Sequence, residues 1–172
     1  MANAEIEKHT GRRSALTAER AWRYGPLILW MVFISIFSTA GFSSINTSRF
    51  LGPLLRWLFP GINDSQLGTL HFFLRKAGHF TEYAILAFLV RRPFVTSHNA
   101  FLRRYWFELG LTLIACYALL DELHQSFVPS RTASIYDSAI DVAGGLIVLL
   151  FLKAYQRSVK GSAKKVEKGS RL

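Results

Sequence analysis

Cysteine is nearly absent from this chain. The single one, Cys116, lies inside an apolar run, so no internal disulfide can form and the redox character of the compartment is left open. Acid is scarce as well, with 11 Asp and Glu against 21 Lys and Arg, for a net charge of +10. Several catalytic signatures are missing: there is no HExxH metal pair, no glycine-rich phosphate loop and no GxSxG elbow. Zincins, P-loop enzymes and serine hydrolases of the elbow type are thereby excluded. No internal repeat of the kind that builds transporters is visible. A leader cleaved after Ser38-Thr39-Ala40 would need an unusually long polar start, so the first apolar run reads as an uncleaved span.

What the chain does have is apolar sequence in long runs, separated by short basic segments. Hydrophobic residues make up 51% of the 172 positions, and their clustering, more than their number, is the pattern of a polytopic membrane protein. Four spans are expected. The first runs from Pro26 to about Phe42, with Trp22 and Tyr24 at the interface. The others are Leu70–Val90, Tyr105–Leu123 and Ile135–Leu152. Ser43–Thr69 contains Pro53, Pro60, Gly61 and Gly68, which break long elements. Its amphipathic stretch around Leu54–Phe59 reads as a short helix on the bilayer surface. The expected organisation is a basic tail over 1–24, a four-helix membrane domain over 25–152, and a second basic, solvated tail over 153–172.

The placement of charge fixes an orientation. The 1–24 tail, the 91–104 loop and the tail from Lys153 hold 16 of the 21 Lys and Arg. The positive-inside rule puts these segments, and both termini, in the cytoplasm, in an all-α protein of the cytoplasmic (inner) membrane. Because the basic residues flank apolar runs, membrane rather than nucleic acid accounts for the net charge.

The exceptions to this economy are acids within apolar sequence. Five of the 11, Glu82, Asp121, Glu122, Asp137 and Asp141, fall inside a span or at its outer half. Each costs about 2.5–3.5 kcal/mol at a helix centre on insertion scales. Lys76, His79 and Tyr83 share one face of span 2 by helical spacing, and Glu82 lies at the border of that face. With about 1.5 Å of rise per residue, His79 and Lys76 lie about 18 and 22 Å above Arg91. On the same scale Asp141 and Asp137 lie about 18 and 24 Å above Lys153, and Asp121 about 26 Å above Arg104. Three helices therefore place polar groups at similar depth, with Arg131 in the loop above. Buried charge has to be paired or hydrated. A cleft open to the outer face is the expected arrangement.

At these positions the chain resembles the VanZ-like family of small polytopic membrane proteins. The matching residues are Lys76-x-x-His79-x-x-x-Tyr83, then Asp121-Glu122-x-x-Gln125 with Pro129-x-Arg131, then Asp137 with Gly144. Two positions depart from the family pattern: Ser130 stands where Gly is frequent before the Arg, and Asp141 where Asn is frequent, which adds an acid. The resemblance implies a role in the bacterial cell envelope, with founding members linked to low-level teicoplanin resistance.

Two classes of function fit the residues. In the first, a membrane-embedded hydrolase or phosphoryl or group transferase acts on an envelope lipid or lipid-linked precursor. Lys76 and Arg131 would grip its anionic group, with Tyr83 and Gln125 in support. His79 would be general base or nucleophile, oriented by Glu82 or Asp137. Asp121 and Glu122 would take part in the chemistry, or with Asp141 hold a divalent cation such as magnesium. In the second, the same cleft serves a non-catalytic transporter, lipid-binding protein or envelope assembly factor. Polar pairs that merely lock helices are a further reading, weakened by the roughly 0.6 kcal/mol that such contacts average in membranes.

Overall fold

The computed structural model describes residues 2–39, 44–129 and 134–169, and these contain no strand. Their six helices are α1 (Ala2–Phe37), α2 (Ser44–Leu58), α3 (Asp64–Val95), α4 (Ala100–Arg104), α5 (Trp106–Ser126) and α6 (Ile135–Gly169). The all-α expectation holds, and the helices outrun the expected spans. The end of the first expected span, through Phe42, lies outside the described residues, as do Ser130 and Arg131.

Helix α1 passes unbroken through Pro26, whose missing N–H removes the single hydrogen bond to the Trp22 carbonyl. The basic N-terminal segment is therefore a continuation of the first helix. At the other end α6 continues through the lysine-rich tail to Gly169, where a solvated, frayed segment was expected. Ala, Lys, Glu and Arg are strong helix formers, and a helix already nucleated in apolar sequence propagates through them. Within Ser43–Thr69 the break falls at Pro60-Gly61, while Pro53 and Gly68 sit inside helices. Asn63 starts α3 with a capping box: its side chain accepts from the Gln66 N–H at 2.9 Å, and the Gln66 side chain accepts from the Asn63 N–H at 3.1 Å.

Helices α3, α5 and α6 form the centre, with α1 against α3. The core is Ile34, Tyr83, Leu86, Ala87, Val90, Ile114, Ala118 and Leu149, all fully buried. The closest approach is at Gly144 and Gly145 of α6, which face the backbone of Phe80 and the side chain of Ile114. A stem of apolar residues faces outward on every long helix: Leu29 is 71% exposed, Phe88 62%, Leu120 60% and Phe151 68%. Beside the apolar core the interior also holds polar side chains, among them His79, Asp121, Gln125, Asp137 and Asp141, so apolar residues outside and charged residues inside depart from the arrangement of a water-soluble bundle.

The two ends of the bundle differ. At one end Trp22 stacks on Arg92 (4.6 Å), Trp106 on Arg91 (5.5 Å) and Phe107 on Lys153 (3.9 Å). Glu19 approaches His98 at 3.8 Å and Glu108 approaches Lys153 at 3.7 Å, so α1, the 91–104 segment and α6 bring their basic residues together there. The opposite end gathers the C-terminal turn of α1, the middle of α3, the end of α5 and the start of α6. Among the described residues one helix segment, Ile135–Ala163, is long and apolar enough to cross a membrane by length and composition alone. Arg75, Lys76 and Glu82 interrupt the apolar stretch of α3, and Asp121 and Glu122 that of α5.

Candidate functional site

The site is built on helix spacing. On α3, residues 76, 79 and 83 follow one stripe; on α5, 118, 121, 122 and 125 do; on α6, 137, 138, 141 and 144 do. These stripes face one another, and they carry Lys76, His79, Tyr83, Asp121, Glu122, Gln125, Asp137 and Asp141. All except Lys76 are buried.

Polar contacts fall into three groups. Nearest the surface, Asp137 receives two cations: Lys76 donates to Oδ1, and Arg75 Nη2 lies 3.6 Å from Oδ2. The Asp137 side chain is 3% exposed, but those of Lys76 and Arg75 are 19% and 29% exposed, so the pair of cations forms a rim over a buried acid. Lys76 also lies 5.3 Å from the centre of the Phe72 ring. In the second group, both oxygens of Asp121 accept hydrogen bonds. Ser38 Oγ donates at 2.5 Å from the end of α1, and Gln125 Nε2 donates at 2.9 Å from one turn on. In the third, His79 Nδ1 stands 3.3 Å from Asp141 Oδ1 without the alignment of a hydrogen bond. Neither oxygen of Asp141 has a hydrogen-bond partner, and the Tyr83 hydroxyl is buried without one too.

Several candidates stand beside other partners than those expected. Glu122 does not join Asp121 and Asp141; its Oε2 accepts from the Ser134 N–H at 2.7 Å, tying the end of α5 to the start of α6. His79 takes its place: ligand atoms of His79, Asp121 and Asp141 all lie within 4.8 Å of one another. The carboxylate that meets His79 is that of Asp141 rather than Asp137, which is engaged by the two cations. Glu82 is half-buried at the edge of the stripe, and its carbonyl accepts from Trp30 Nε1 at 2.9 Å. Cys116 faces outward from α5 and has no place in the cluster.

One participant, Ser38, escapes sequence reasoning. It reads as part of a cleavage-like Ser-Thr-Ala, yet Ser35 in the last turn of α1 and Ser38 in the turn that follows lie three residues apart, at helical spacing. Ser35 Oγ meets the Tyr117 hydroxyl at 2.8 Å, one turn from the Ser38–Asp121 contact. Arg75 is legible in the sequence as one of the few cations available to pair the buried acids, and the structure sets it beside Lys76 against Asp137.

Comparison with known proteins adds a single finding. No match is found among curated proteins or among solved structures. The model of the VanZ/LLP1 family matches residues 24–156, from the basic end of α1 through the whole cluster and on into α6. The match takes in every helix that contributes to the site, and the chain belongs to the VanZ/LLP1 family.

Proposed function

We propose that the protein is a four-span membrane protein of the bacterial cell envelope whose cluster binds the anionic headgroup of an envelope lipid or lipid-linked precursor. The outward apolar faces of α1, α3, α5 and α6 support four spans, including the three whose charges or short apolar stretch spoil their hydropathy. The clustering of Arg91, Arg92 and Lys153 against interfacial aromatics supports one basic, cytoplasmic end. The cluster then opens toward the outer face.

The observation that carries the headgroup reading is the rim. Two partly exposed cations converge on one buried carboxylate, which leaves one positive charge in excess at the mouth. An anionic phosphate or carboxylate is the complement of such a rim, and a guanidinium can grip it through two parallel bonds. The link to teicoplanin resistance fits the same location, since precursors of the envelope lie on that face.

The test is binding of purified protein in nanodiscs to phospholipid and to lipid-linked precursor. Lys76→Gln and Arg75→Gln are expected to weaken anionic-lipid binding by roughly tenfold or more. Unchanged binding by folded variants would sink the headgroup reading.

A second reading, hydrolysis or phosphoryl transfer, is favoured by the His79–Asp141 pair, which suits a histidine base held by a carboxylate. Release of product from labelled envelope lipid, lost in His79→Gln, would separate it from binding alone.

A further inference from the structure

We infer that His79, Asp121 and Asp141 form a site for one divalent transition-metal ion of the zinc class. The inference rests on the headgroup reading for the ion's role beneath the rim, and not for the ion's binding.

Three helices each deliver one donor to the same place, within 4.8 Å. Zinc–nitrogen and zinc–oxygen bonds of about 2.0–2.2 Å set tetrahedral ligand atoms about 3.4 Å apart, so small side-chain rotations close the set. Proximity of acids is common without a metal; the independent observation is Asp141. It is completely buried, and both of its oxygens lack a hydrogen-bond partner, as does the facing Nδ1 of His79. Buried polar atoms are nearly always satisfied, and a carboxylate left so is far from any ordinary helix lock.

The remaining donors are arranged as support. Asp121 is held by Ser38 and Gln125, yet a carboxylate has about four lone-pair sites, so two accepted bonds leave room for a metal. Hydrogen bonds of this kind to a ligating carboxylate fix its direction. Charge points the same way. Lys76 and Arg75 lie against Asp137 at the rim, and among the described residues no Lys or Arg forms an ion pair with Asp121 or Asp141. A protonated His79 would balance one of the two; a dication with neutral imidazole balances both.

The donor set selects the metal. One imidazole with two carboxylates suits zinc and its neighbours, whereas magnesium prefers oxygen ligands and retains its waters. Three protein ligands would leave a fourth position open, as in catalytic zinc sites.

The experiment strips untagged protein with chelator, reloads it with Zn²⁺, and counts metal after gel filtration. About one equivalent is expected in the wild type and in His98→Gln, a surface control, with a loss of roughly tenfold or more in His79→Gln and Asp141→Asn. X-ray absorption of the zinc-loaded wild type needs no variant to fold; it is expected to show imidazole scattering at about 2.0–2.2 Å. Absence of stoichiometric zinc, zinc without imidazole, or loss in Glu122→Gln but not in His79→Gln would each overturn the site. Anionic-lipid binding scored on the stripped protein keeps the two ideas apart: dependence on Lys76 with no zinc bound removes the metal and leaves the headgroup reading.

Discussion

At Gly144 an added Cβ would sit 2.4 Å from the carbonyl oxygen of Phe80, a backbone atom that cannot step aside. At Gly145 it would meet the Ile114 side chain at 2.8 Å, which can partly rotate. Gly144→Ala is therefore expected to destabilise by about 1–3 kcal/mol through overpacking, and Gly145→Ala by less. Thermal unfolding in detergent checks the order; equal effects would contradict the α3–α6 contact described. Cys116 makes a second residue-scale prediction. It shares the outward face of α5 with Leu119, Leu120 and Leu123, so in a bilayer its thiol faces lipid. Membrane-impermeant maleimide should leave it unmodified in intact membranes and label it after denaturation, because the thiolate is the reactive form and needs water. The periodicity of Lys76, His79 and Tyr83 was legible at this scale because spacing alone fixes which helical residues share a face. The Ser38–Asp121 bond was not, since nothing local to either residue says that the end of α1 reaches the end of α5.

Among elements, the capping box of α3 has a measurable worth. Asn63→Ala removes the acceptor for the Gln66 N–H, and a loss of about 0.5–2 kcal/mol is expected, read by thermal or denaturant unfolding. Gln66→Ala leaves the Asn63 bond in place and should cost less. The cap starts α3 six residues before Leu70, where the expected second span begins: polar residues Asp64, Ser65 and Gln66 belong to a helix that begins before its apolar stretch does. The same cause lengthens α1 and α6. Hydropathy marks where lipid could lie along a helix, whereas the helix itself ends at a cap, a proline turn such as Pro60-Gly61, or fraying. Pro93 shows the point from the other side, since α3 ends two residues beyond it.

For the whole molecule, the basic end and the polar cluster lie at opposite ends of one bundle, which makes orientation testable. In a Cys116→Ala background, impermeant thiol reagent is expected to label Ser65→Cys in intact cells. Ala18→Cys, His98→Cys and Ser162→Cys should be labelled only after permeabilisation. Labelling of His98→Cys from outside would invert the arrangement and place the cluster toward the cytosol. The separation of a basic end from the polar cluster was readable in outline because charge asymmetry is a property of segments and survives errors of several residues at their ends. The internal division of the cluster was not readable. Asp137 and Asp141 stand one turn apart on α6, and only the packed helices decide that one meets Lys76 and Arg75 while the other meets His79.

Helix α6 is one uninterrupted rod from Ile135 to Gly169, and its tightest contact, at Gly144 and Gly145, lies near one end. About 37 Å of that rod extends from Gly144 to Gly169, at roughly 1.5 Å per residue. Leu149 and Leu152 of that rod are buried in the core and Lys153 meets Phe107 and Glu108, so a single helix ties the glycine contact beside the polar cluster to the basic end of the bundle.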